Sequence, residues 1–143
     1  MAKRPLRLRL VLLAPPAGVL FSLQDNHNAP VDAVLAGGGD LSLDLAIDVD
    51  AGPGGLRFTG RFVRTGFGRK FVYFASGTIA GQADSPWTRR GKVMLDSLPA
   101  DLVEEAAATG GRLEARIGGR AKDGGPACGS VSPVDRWRLI PAQ

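Results

Sequence analysis

One cysteine, Cys128, and one histidine, His27, are all that a chain of 143 residues holds of the two side chains most used as metal ligands, nucleophiles and bases. A lone cysteine leaves no internal disulfide to form and no Cys-based metal site to build. A lone histidine removes His-rich metal sites and makes any Ser-His-Asp arrangement depend on one residue. No metal site and no cofactor are expected. Aromatics are also few: six Phe, two Trp and one Tyr. Long apolar runs are missing. The N-terminal stretch is interrupted by Arg7 and Arg9, and its longest uncharged apolar run, Leu10–Ala14, has five residues. A signal-peptide core needs about 7–15 and a membrane span about 18. The segment therefore reads as a strand, and a cytoplasmic protein with no membrane partner is expected.

What is present supports a folded chain. Gly (20) and Pro (10) stay below the level at which disorder becomes the better reading. The net charge is +4, which points towards an anionic partner. The 14 Arg and four Lys are scattered singly or in pairs, with no block of like charge. Nucleic-acid binders cluster positive charge among stacking aromatics, so a nucleic-acid partner is not expected to be the main one.

The dominant period is two. Leu6, Leu8, Leu10 and Leu12 alternate with polar or exposed positions, and Leu41, Leu43, Leu45, Ile47 and Val49 alternate with Ser42, Asp44, Ala46, Asp48 and Asp50. Each pattern describes a strand with one buried face. Further strands are expected at Val19–Gln24, returning from the turn at Pro15–Gly18, and at Leu56–Arg64, Arg69–Ser76, Trp87–Leu95, Arg112–Ile117, Ala127–Val131 and Arg136–Ile140. Phe71, Val72, Tyr73 and Phe74 are apolar on both faces, which places their strand centrally. Asp25–Gly39 is the least patterned segment, with a short helical turn expected at Val31–Leu35. One helix stands out, at about residues 97–109, with Glu104 and Glu105 on it and Gly110-Gly111 closing it. The fold class expected is mainly β: an antiparallel β-barrel or strongly curved sheet of seven to nine short strands with that one α-helix.

One hairpin allows a register prediction. Apolar positions are odd-numbered in Leu41–Val49 and even-numbered in Leu56–Phe62. Val49 opposite Leu56, Ile47 opposite Phe58 and Leu43 opposite Phe62 would share a face, with Asp48 opposite Arg57 and Asp44 opposite Arg61 outside. A slip of two residues would keep the faces and change the partners.

Candidate chemistry is thin. The loops Thr65–Lys70 and Gly118–Gly125 are glycine-rich, but both lead into strands and neither has phosphate-loop spacing. They read as hairpin turns. Cys128 follows Lys122 and Asp123 closely, yet it reads as buried and inert, and His27 as exposed. The densest polar stretch runs from Gly77 to Arg90. It supplies an amide, a carboxylate, an indole and two guanidiniums that could line a site for a small anionic or planar ligand. The candidate ligand-binding residues are Tyr73, Gln82, Asp84, Trp87, Arg89 and Arg90, with at most one of the two arginines on a given face. No catalytic residue is assigned.

Leu6–Gln24 around Pro15-Pro16-Ala17-Gly18, Arg69–Leu95, and Asp123-Gly124-Gly125-Pro126-Ala127-Cys128 together resemble a bacterial family of small proteins known only as a domain of unknown function. The resemblance spans most of the chain. It implies a single bacterial cytoplasmic domain over residues 1–143 and brings no functional residue across. The residues thus favour a non-enzymatic ligand-binding or interaction module. The alternatives are an enzyme using carboxylate, Tyr73 or Lys122 acid–base chemistry, and a weak nucleic-acid binder.

Overall fold

A computed structural model describes residues 3–77 and 87–142. The period-two segments form the strands expected of them. β1 (Arg4–Leu13), β2 (Leu20–Gln24), β3 (Pro30–Leu35), β4 (Leu41–Gly52), β5 (Gly55–Thr59) and β6 (Arg64–Gly66) come first. β7 (Arg69–Gly77), β8 (Trp87–Met94), the helix α1 (Ala100–Thr109), β9 (Arg112–Gly118), β10 (Gly129–Val131) and β11 (Arg138–Ile140) follow.

These eleven strands do not close into a barrel. They form two open sheets, one ordered β11-β9-β1-β4-β5 and the other β10-β8-β7-β2-β3, with β6 beside the start of β7. Nor is the pairing wholly antiparallel, because β1 runs parallel to β9 and β8 parallel to β10. The helix carries the chain from β8 in the second sheet to β9 in the first, so β9 arrives alongside β1 in the same direction. β1 and β2 are not a hairpin either. The Pro15–Gly18 turn passes the chain from one sheet to the other, and β2 pairs with β3 and β7.

The inner faces of both sheets meet in one cluster of buried apolar side chains. Leu6, Leu8, Leu10 and Leu12 of β1 lie with Leu41–Val49 of β4 and with Leu113, Ala115 and Ile117 of β9; Phe21, Leu23, Val72, Phe74 and Val93 come from the second sheet. Val103 and Ala106 of α1 close one side. Gly110 ends the helix with φ +76°, and its N–H reaches the Ala106 carbonyl at 3.0 Å. The expected helix start at residue 97 is instead the end of a separate 3-10 turn, Leu95–Ser97, after which Pro99 caps the α-helix.

Two further expectations are corrected. Val31–Leu35 is not a helical turn: it lies in the edge strand β3, whose partner β2 is irregular near Ser22. The Ser22 hydroxyl accepts the Val31 N–H at 2.8 Å and so supplies the bond that the ladder lacks there. The β4–β5 hairpin pairs Val49 with Phe58, Asp50 with Arg57 and Ala51 with Leu56, a two-residue slip from the expected register. The faces are kept, with Val49 and Phe58 both buried. The slip follows from the turn. The observed pairing leaves Pro53-Gly54 as the loop, with proline at the first central position that its fixed φ suits. The expected pairing would have put proline second, where it is disfavoured. The charge pair on the outer side is therefore Arg57 Nε to Asp50 Oδ1 at 2.8 Å. Arg61 faces Asp25 instead, and Asp44 faces Arg9.

Candidate functional site

β7 turns Val72 and Phe74 to the core and Phe71, Tyr73 and Ala75 to the opposite face, as alternation along a strand requires. On that face Phe71 and Ala75 are themselves covered by neighbouring side chains, while Tyr73 is half-buried. Register then decides their neighbours. Phe71 lies between Arg64 of β6 and Met94 of β8, Tyr73 between Gln24 of β2 and Lys92 of β8, and Ala75 between Ser22 and Arg90. Four strands thus build one outer patch in which cations ride on aromatic rings. The Arg64 guanidinium sits 4.6 Å from the Tyr73 ring centre and that of Arg90 5.9 Å from it. The Lys92 ammonium lies 4.2 Å from the Phe71 centre, and the two rings are tilted against each other at 5.2 Å.

The cations are held in place by polar contacts. Arg90 Nε donates to Gln24 Oε1 at 2.8 Å, and Gln24 is itself buried at the end of β2. Arg64 Nη2 donates to the Asp25 carbonyl at 2.7 Å and to Asn28 Oδ1. The Asp25 carboxylate organises that turn by accepting the His27 and Ala29 N–H groups at 2.8 and 2.9 Å. Those bonds, from Ala29 first and His27 next, hold its pKa below the ordinary value. Burial pushes the Arg64 guanidinium down. Tyr73 opposes that shift, and the neighbouring Arg90 charge adds to it. Arg64, Arg90 and Lys92 form no ion pair with a carboxylate among the described residues, whereas Arg9, Arg57, Arg61, Arg89, Arg112, Arg116 and Arg138 each do. The patch is a set of three positive charges, two over Tyr73 and one over Phe71.

The residues singled out from sequence separate accordingly. Tyr73 and Arg90 meet on the outer patch. Arg89 goes the other way: its Nη2 donates to Asp123 Oδ2 at 2.8 Å and its Nη1 to Oδ1 at 3.3 Å, tying β8 to the loop before β10. Trp87 is half-buried where β8 begins, opposite Gly77. Gln82 and Asp84 lie outside the described residues. Sequence reasoning misses Arg64, Lys92 and Gln24. The alternation of β8 places Arg90 and Lys92 on one face and could have flagged Lys92. No local signal brings β2 and β6 to β7.

Cys128 is exposed, not buried. β10 is a three-residue edge strand that starts only at Gly129, whose φ is +74°, so the core position falls to Ala127 and the thiol turns outward. His27 is exposed as expected. Two open clefts lie away from the patch. One, of about 350 Å³, lies over Ala46 between Arg7 and Arg112; the other, of about 430 Å³, lies between Leu102 of α1 and Trp137.

The Arg89–Asp123 contact makes a pH prediction. The Arg89 hydrogen bond first, and the Gly125 N–H second, hold the Asp123 carboxyl down at about 2. A carboxyl whose folded pKa is depressed stabilises the fold above its unfolded value of 3.8 and loses that contribution as pH falls through about 2. A carbon-detected NMR titration should find the Asp123 midpoint near 2, rising towards 3.8 in Arg89→Gln. An unshifted midpoint in the parent protein would remove the contact from solution.

Among known proteins, residues 6–140 match a family of unknown function. No curated protein and no solved structure matches the chain.

Proposed function

The chain belongs to that family, DUF5990, and from its own residues we propose that it is a binding module for a small planar anion, seated on the outer face of β7. The observation that supports this is the grouping of Arg64, Arg90 and Lys92 about Phe71 and Tyr73 with no carboxylate ion-paired to them among the described residues. Two guanidiniums over one ring repel each other, and a bound carboxylate or phosphate relieves that repulsion through charge-assisted bonds. A flat ligand body gains from stacking on the guanidinium planes that the Tyr73 ring supports. Gln24 supplies the neutral polar group that fixes Arg90. The single cysteine, with no internal disulfide to form, supports a cytoplasmic setting. Acid–base catalysis has less support, because among the described residues no carboxylate stands beside Tyr73 to share a proton.

Two-dimensional NMR titrations with benzoate and with adenosine monophosphate test the reading. Saturable shifts at Tyr73 and at the Arg90 and Arg64 side chains are expected. Benzamide, flat but neutral, and inorganic phosphate, charged but not flat, should each bind at least several-fold more weakly. Tyr73→Leu and Arg90→Gln should each weaken benzoate by about tenfold, ~1.4 kcal/mol. Shifts scattered over the whole surface, or affinity unchanged in both variants, would sink the proposal. Binding to arbitrary single-stranded DNA with a steep salt dependence, at the expense of these anions, would favour nucleic acid instead.

A further inference from the structure

Phe67 has no structural reason to be phenylalanine. It stands at the tip of the β6–β7 hairpin with a relative exposure of 104%. The hairpin pairs Gly66 with Arg69, which leaves Phe67 and Gly68 as a two-residue loop with φ values of +51° and +75°. Both positive angles make this a type I′ turn, whose first central position suits asparagine or glycine and strains a bulky side chain. The ring is therefore held in a disfavoured backbone state and gains no burial. Its surroundings are basic. Arg69 is exposed beside it, Lys70 follows with its ammonium on Thr65 Oγ1 at 2.7 Å, and Arg64 lies on the opposite arm. No Asp or Glu occurs between Asp50 and Asp84, a stretch that carries Arg57, Arg61, Arg64, Arg69 and Lys70.

We propose that this hairpin docks the protein on an anionic lipid surface, with Phe67 seated among the headgroups and Arg69 and Lys70 on their phosphates. Charge complementarity selects the occupant. A negatively charged leaflet attracts such a cluster, and the interfacial region takes single aromatic side chains. A stable protein interface buries on the order of 800 Å² a side, far more than one exposed ring at a hairpin tip supplies. A nucleic acid strand would want a second free ring nearby, but Phe71 is buried and Tyr73 lies beneath Arg64. The absence of membrane-length apolar runs bears on spanning only. Among the described residues no helix is long and apolar enough to cross a bilayer, and that leaves surface attachment open. The attachment is weak and salt-sensitive, since one ring and a few charges carry it.

Co-sedimentation with phosphatidylcholine vesicles, with and without about one-third phosphatidylserine, tests the proposal. Binding to the anionic vesicles alone, released by high salt, is expected. Phe67→Asn suits the turn, so its melting temperature should equal or exceed the parent's while its vesicle affinity falls at least fivefold. Arg69→Glu should weaken binding similarly. In Phe67→Trp, the added indole emission should shift to the blue on anionic vesicles and be quenched by brominated lipid. Tyr73→Leu, which impairs the planar-anion site, should leave vesicle binding unchanged, so the two proposals fail separately. No vesicle binding, full affinity in Phe67→Asn, or an unshifted indole emission from vesicle-bound Phe67→Trp would overturn the lipid proposal. So would Phe67-dependent binding to a single-stranded oligonucleotide without vesicle binding.

Discussion

Gly91→Ala is expected to destabilise the protein by about 3 kcal/mol, at the upper end of overpacking costs, and to lower its melting temperature by about 10 °C. Gly91 lies on the core face of β8, directly opposite Phe74 of β7. A Cβ built there would stand 2.1 Å from the Phe74 ring, and the ring has no exposed surface into which to swing. It is packed among Phe21, Leu23, Val72 and Val93, so accommodating one methyl group means moving several side chains or prising β7 from β8. Because the obstacle is a side chain, a second substitution should relieve it. Phe74→Leu loses stability alone, but combined with Gly91→Ala it should cost at least about 1 kcal/mol less than the sum of the two. Chemical denaturation of the four proteins measures both quantities. A neutral Gly91→Ala, or strict additivity, would show that Phe74 does not occupy the space the glycine leaves.

The second large effect is expected at Gly119, where the obstacle is backbone. A Cβ there would lie 2.5 Å from the Leu13 carbonyl oxygen and 2.8 Å from the Pro15 nitrogen. The same glycine donates its N–H to that Leu13 carbonyl at 3.1 Å and accepts from the Ala127 N–H at 3.1 Å. It therefore joins the end of β1, the end of β9 and the loop that leads to β10. Gly119→Ala should cost as much as Gly91→Ala or more, about 3 kcal/mol or above, since it separates chains and strains two hydrogen bonds together. No side-chain replacement offers rescue. Hydrogen exchange should quicken first at Gly119 and Ala127. A loss well below that of Gly91→Ala would mean that the two chain ends are free to part.

The contrast between these glycines shows where local sequence stops being informative. Both sit in segments that alternate or turn as strands and loops do, and nothing adjacent distinguishes them from other glycines. What makes each irreplaceable is a partner many residues away: Phe74 for one, Leu13 and Pro15 for the other. The candidate site divides in the same way. Tyr73 and Arg90 stand out as an aromatic and a cation on neighbouring strands. Gln24, Arg64 and Lys92 become their neighbours only through the register of β2, β6 and β8 against β7.

Alternation by itself determined which residues of β1, β4 and β9 are buried. Leu6–Leu12, Leu41–Val49 and Leu113–Ile117 turn their apolar positions inward because a strand's side chains change face at every residue. The helix with its Gly110 cap follows equally from local conformational preference. The Pro53-Gly54 turn also holds its register in plain sight, since proline's fixed φ admits one position far better than the next. Only the tertiary structure decided that the strands make two open sheets, that β9 lies parallel to β1, and that Cys128 faces outward. Strand pairing uses backbone groups that every residue carries, so the choice of partner leaves no mark on composition or period. That choice rests on which closures bury the most apolar surface together, and for β1 and β9 the closure joins partners 105 positions apart, as Leu8 and Leu113 are.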